Sequence, residues 1–262
     1  MPSRAIGQRS DRFVADSFIV LFQRRCNESV VVQRVIFGAK GNPVQLRAVA
    51  FLLLTLFPAC GAVAQPVADD NLSVNARFLT YARNADAAGM TRTLAEGANV
   101  NSRNRLGESA LVILLKNNKV DLAQQVLAAG ADVNLAAVNG ITPLMTAAFS
   151  GQTAMAKQLL DKGANVAALD RLQKNAMTYA AGSGNTEIVM LLLGKGVDPN
   201  AVYHNDLTAL MWAAGFGKTA TVKALLAAGA RPLMKDNRGK TAADMARDEH
   251  FDETAAVLDA AK

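Results

Sequence analysis

Beyond Gln65 the chain contains no cysteine; its only two, Cys26 and Cys60, both precede that point. A disulfide framework, a thiolate metal site and a cysteine nucleophile are therefore excluded from residues 65–262. Histidine is almost as scarce. His204 and His250 are the only two, 46 residues apart, and each is expected as a solvated surface residue rather than half of a metal site. No serine stands in a G-x-S-x-G elbow, and no closely matched His–Asp pair offers a nucleophile and base. These absences point away from an enzyme, and no cofactor or metal is expected.

Aromatic residues are also few, at 5%, although 51% of the chain is hydrophobic and alanine and leucine abound. That balance favours helices packed at close range over a β-sandwich. The net charge of +6 points at first to a nucleic-acid partner. Yet residues 1–64 hold eight Lys/Arg against three Asp/Glu, while residues 65–262 hold 20 against 19. The remainder is close to neutral, so the electrostatic case for nucleic acid fails.

The basic front of the chain carries an export pattern. Residues 47–65 read RAVAFLLLTLFPACGAVAQ: Arg47 supplies a positive start, Ala48 to Phe57 an apolar run, and Pro58 a break. Ala62 and Ala64 then place small residues at −3 and −1 of a cleavage site after Ala64. A cleaved signal peptide over 47–64 is expected, with a periplasmic or secreted product of a Gram-negative bacterium and no membrane association after cleavage. Two alternatives stay open: an uncleaved anchor through residues 48–64, and lipidation at Cys60, where Phe57 stands in the place usually taken by leucine. Residues 1–46 form an N-terminal extension, disordered or preceding the true start. A start at Val44 would leave a short n-region of Val44-Gln45-Leu46-Arg47.

What the rest of the chain has is a repeat. GANVN (97–101), GADVN (130–134), GANVA (163–167), GVDPN (196–200) and GARPL (229–233) recur every 33 residues. A second landmark keeps the same register: ESALVILL at 108, ITPLMTAA at 141, KNAMTYAA at 174, LTALMWAA at 207 and KTAADMAR at 240. Each unit reads as a helical hairpin. Thr142-Pro143 opens a short helix, since proline is tolerated in the first turn, with Leu144, Ala147 and Ala148 as its apolar stripe. Gly151 ends it. A second helix through Met155, Leu159 and Leu160 follows, and Gly163 ends that one in a left-handed position. One hairpin cannot bury its apolar faces, so the units must stack. After a linker at 65–70, the boundaries fall at 71–103, 104–136, 137–169, 170–202, 203–235 and 236–262. The outer two are caps: the first lacks the Thr-Pro landmark, and the last carries Asp244, Arg247, Asp248 and Glu249.

These motifs resemble the ankyrin-repeat family: T-P-L at 142–144, A-A-x-x-G at 147–151, 180–184 and 213–217, and Leu-Leu followed by G-A-[DN] at 159–165. The resemblance covers 71–262 and implies an all-α solenoid of about six stacked units that acts as a protein-binding monomer. It also exposes a departure. The histidine usual after T-P-L is replaced by Val112, Met145, Thr178, Met211 and Asp244. In the family that histidine ties neighbouring turns together, so looser turns are expected here.

The eight residues WAAGFGKT (212–219) look like the tail of a phosphate-binding loop. The full pattern needs glycine at position 212, where Trp212 stands, and a strand before it. The repeat register instead places Gly217 at the end of one helix and Lys218-Thr219 at the start of the next. GSGNTE at 182–187 likewise mimics a dinucleotide fingerprint but follows a helix and lacks its third glycine. Through the resemblance, the binding surface falls on the turn tips and the inner helices that line a concave face. The residues placed there are Arg105, Leu106, Val138, Ile141, Phe149, Arg171, Leu172, Lys174, Leu207 and Phe216. The apolar ones either form a patch that a protein partner covers or pack between neighbouring turns. Arg105, Arg171 and Lys174 would suit an acidic rim on that partner. Two uses fit: an accessory factor of a periplasmic enzyme, or an immunity-type inhibitor of a toxin.

Overall fold

Five polar residues spaced 33 apart each begin a helix. Ser109, Thr142, Asn175, Thr208 and Thr241 are N-caps whose side-chain oxygens accept from the backbone N–H three residues on, at 3.0–3.4 Å. Such a cap satisfies a donor that the first turn would otherwise leave unpaired. At four of them the bond is reciprocated. The cap's own N–H donates to the Met145 sulfur, the Thr178 hydroxyl, the Met211 sulfur and the Asp244 carboxylate in turn. These are the places where the family carries histidine, so the missing imidazole is replaced by a capping box.

The computed structural model describes residues 72–261, all of which fall within the unit Pro66–Lys262. The N-terminal extension, the signal segment with Ala64, both cysteines and the linker at 65–70 lie outside the described residues. Twelve α-helices run through the described part. They are α1 (Val74–Asn84), α2 (Ala87–Ala95), α3 (Ala110–Lys116), α4 (Val120–Ala128), α5 (Pro143–Phe149) and α6 (Thr153–Asp161). Then follow α7 (Ala176–Ser183), α8 (Thr186–Gly194), α9 (Ala209–Gly215), α10 (Thr219–Ala227), α11 (Ala242–Asp248) and α12 (Asp252–Asp259). Among the described residues there is no strand, only a single bridge between Arg103 and Ser109. The all-α expectation holds.

Consecutive helices pair as hairpins, and each odd-numbered helix packs on the next odd-numbered one. The core lies between the two rows. Leu111, Leu114, Leu144, Met177 and Leu210 enter it from the short first helices; Met155, Leu159, Ile188, Leu192 and Leu225 enter it from the second helices. Ala147, Ala148, Ala180, Ala181, Ala213 and Ala214 are fully buried, which lets neighbouring first helices approach closely. Gly217 has φ +62° and ends the helix before α10, so WAAGFGKT is the helix-to-helix turn that the register predicts. A side chain on Gly217 would meet the ring of Phe251 at 2.5 Å.

Backbone hydrogen bonds tie three of the four pairs of neighbouring turns. Val138 N–H donates to the Leu106 carbonyl (2.9 Å), Arg171 N–H to Asn139 (3.0 Å) and Asn237 N–H to Asn205 (3.1 Å). The junction between Leu172 and His204 has no such bond among the described residues. There Gln173, at φ +57°, occupies the place of Gly107 and Gly140, and its Cβ keeps the next turn away. Asp206 holds the same place one unit later. Two successive left-handed residues, Asn205 and Asp206, reroute that turn, and its bond to the next is kept.

A second ladder runs through the loops that leave the second helices. The side-chain oxygens of Asn101, Asn134 and Asn200 accept from the backbone N–H of Asp132, Asn165 and Arg231, each at 2.8 Å. Ala167 takes the equivalent place once, and no side chain there reaches Asp198. We predict that Ala167→Asn completes the ladder and adds about 0.5–1.5 kcal/mol of stability, read as a higher urea midpoint at constant slope.

Candidate functional site

The first helices carry four aromatic residues out to one side. Phe149 ends α5 and is 52% exposed; Phe216 follows α9 and is 41% exposed. Tyr179 and Trp212 stand at equivalent places in α7 and α9, half-buried against the core. The Phe149 ring meets Tyr179 edge-on, with centroids 6.1 Å apart and planes at 89°. Trp212 and Phe216, four residues apart on one helical face, stack at 6.0 Å and 9°. Gly182 lies beside these two rings: a Cβ there would make ordinary van der Waals contact with both, at 3.5–3.7 Å. The result is an aromatic band across α5, α7 and α9.

Lys174 lies over this band. Its Nζ sits 4.3 Å from the Trp212 ring centroid and 5.9 Å from that of Tyr179, within the range where a ring face attracts a cation. Burial pushes the ammonium below the ordinary lysine value, and the nearby Asp170 carboxylate partly opposes that. Asp170 is nonetheless not its counter-ion. One carboxylate oxygen accepts from the backbone N–H of Leu172 and Lys174, both at 2.8 Å, and the other from the Tyr179 hydroxyl at 2.6 Å. Burial, together with that bond to Asp170, holds the Tyr179 hydroxyl protonated far beyond the usual phenol range. Tyr179→Phe removes the donor and leaves a carboxylate oxygen that is almost fully buried without it. We predict a loss of about 1–3 kcal/mol, measured by urea unfolding at neutral pH.

The other residues singled out in the sequence divide cleanly. Leu106 (64% exposed), Val138 and Leu172 stand out on the turn tips, with Arg105 and Arg171 exposed beside them. Ile141 and Leu207 do not project into solvent: both are half-buried and pack against the core. Lys174 is half-buried in the aromatic frame rather than standing on a solvated rim. Tyr179 and Trp212 were not picked out from the sequence, although one signal for them was present. MTYAA and LMWAA place an aromatic at the same point of the landmark in consecutive units. Both histidines are exposed. No cluster of three metal-ligating side chains and no helix long and apolar enough to cross a membrane occurs among the described residues.

A family model described as ankyrin repeats (3 copies) matches residues 78–170 and again 177–258. No curated protein matches the chain.

Proposed function

The chain belongs to the ankyrin-repeat family, and on that premise we propose that it is a non-catalytic binding module of six repeats. Its partner is a protein, held on the concave face formed by the turn tips and the first helices. Ankyrin repeats are general protein–protein interaction modules, and fold alone does not say which surface binds. The observation that carries the assignment is the aromatic band, which leaves Phe149 52% and Phe216 41% exposed, together with the exposed apolar tips Leu106, Val138 and Leu172. Large apolar side chains gathered on one face are the usual anchors of an interface. We place the module in the periplasm as a monomer, on the strength of the export pattern at 47–64. The partner's role, as an enzyme served or a toxin inhibited, follows from its identity.

Site-specific photo-crosslinking tests this. A crosslinker at Phe149 or Phe216 should yield a discrete protein adduct in intact periplasm, and one at Lys157 on the far row of helices should not. Adducts from Lys157 alone would move the site to the other face. Charge reversal at Arg171 and Lys174 combined with Phe149→Ala should abolish the adduct seen from Phe216 while leaving the helical circular dichroism unchanged.

A further inference from the structure

Resting on that reading of the face, we propose that it selects an acidic segment of its protein partner. One carboxylate of the segment meets the Lys174 ammonium over Trp212, and a neighbouring large apolar side chain lies against Phe149 and Phe216. The argument starts from what Lys174 lacks. Its Nζ makes no hydrogen bond and no ion pair with the described residues, and Asp170, the nearest carboxylate in sequence, has both oxygens engaged by other donors. The ammonium is therefore in direct contact with ring faces alone, with Asp170 acting on it only at longer range, and its remaining surface is toward solvent.

Docking removes that solvent. An apolar or cationic partner surface would then leave a desolvated ammonium with no acceptor, which is costly. A carboxylate supplies an acceptor and a counter-charge together, as a charge-assisted bond in a site already stripped of most water. The lysine thus discriminates by penalty as much as by attraction. Arg171 is exposed on the same turn tip as Lys174, and Arg105 two tips earlier. Of the acidic groups, Glu108 is paired with Lys116 and Asp248 with Lys240, while Asp206 on the following tip and Glu249, one unit on from Phe216 in the register, are exposed, so the preference rests on Lys174 itself rather than on the net charge of the face. The four rings and Lys174 form one contact network, so a single segment of a few residues can engage charge and apolar surface together.

Trp212 is the only tryptophan in the chain, so its emission reports directly on the site. Displayed random twelve-residue peptides are selected on the full-length protein. The strongest binder and its amide counterpart (Asp→Asn, Glu→Gln) are then titrated against Trp212 fluorescence. Selected peptides should combine acidic with aromatic or large aliphatic residues, and the amide form should bind about tenfold or more weakly. Lys174→Met should erase the difference between the two forms while the protein stays folded. Selection of peptides without acidic residues, or an undiminished acid preference in Lys174→Met, overturns this inference but leaves the face as a docking surface. Tighter binding of a single-stranded oligonucleotide or an acidic polysaccharide overturns it in favour of another class of ligand. Failure to select any peptide, with no adduct from Phe149 or Phe216, overturns both readings.

Discussion

Gly140→Ala is expected to lose about 2–5 kcal/mol, a large cost for a single added methyl group. Two independent penalties meet at this residue. Its φ of +84° lies in the left-handed region, where an L side chain costs about 1–2 kcal/mol. In addition, a Cβ would lie 2.8 Å from the Cα of Asp170, a backbone atom of the next turn. A side chain in that position could rotate away, but backbone cannot, so the turn tips must separate, at about 1–3 kcal/mol. The bond from Arg171 N–H to the Asn139 carbonyl would be the first casualty. Comparison with other glycines isolates the effect. Gly163 shares φ +84° but would have nothing within 4 Å of its Cβ, so Gly163→Ala should lose only about 1–2 kcal/mol. Gly217→Ala falls between, because the atoms it meets belong to Phe251, a partly exposed side chain that can swing aside. Equal unfolding midpoints for Gly140→Ala and Gly163→Ala would show that the approach of the turns does not govern stability.

The hairpins were legible because the signals that make them are local and recur. Thr142, Thr208 and Thr241 cap helices wherever they appear in the register, and Gly163 and Gly217 end them. Such effects depend on a few adjacent residues, so a single sequence displays them. The aromatic band was only half legible. Phe149 and Phe216 could be placed because they end first helices at the edge of a hairpin. The position of Lys174 could not, since it depends on Trp212, 38 residues ahead, and on Asp170 already being taken by Tyr179. Ile141 and Leu207 failed for the same kind of reason: each sits on a turn by sequence, but in space that turn leans on the core. The backbone bonds that Val138, Arg171 and Asn237 donate between turns were not legible either. Stacking creates those bonds, and no single unit contains them.

Stacking also decides the second large effect, Leu192→Ala. Leu192 is fully buried on α8, which packs against both α6 and α10. Truncation should lose about 3–5 kcal/mol, from lost burial plus the cavity left behind. The position matters as much as the amount. In a stacked repeat each unit gains its stability from its two neighbours, so total stability is close to a sum of unit and interface terms. A defect at α8 weakens two interfaces at once, and the hairpins on either side should begin to melt separately. Urea unfolding should therefore show a lower slope as well as a lower midpoint, because less surface is exposed in each step. Leu258→Ala provides the control: it is equally buried, but α12 packs against α10 on one side only. Its cost should fall on the last hairpin and leave the main transition in place. The two variants should also separate in binding. The band joins α5, α7 and α9, so loosening the α7–α8 hairpin divides Phe149 from Trp212 and Phe216. At a denaturant concentration that leaves half of Leu192→Ala unfolded, peptide binding by that variant should fall more than its helix content does. Leu258→Ala should bind as the parent does, because the last hairpin contributes no ring to the band.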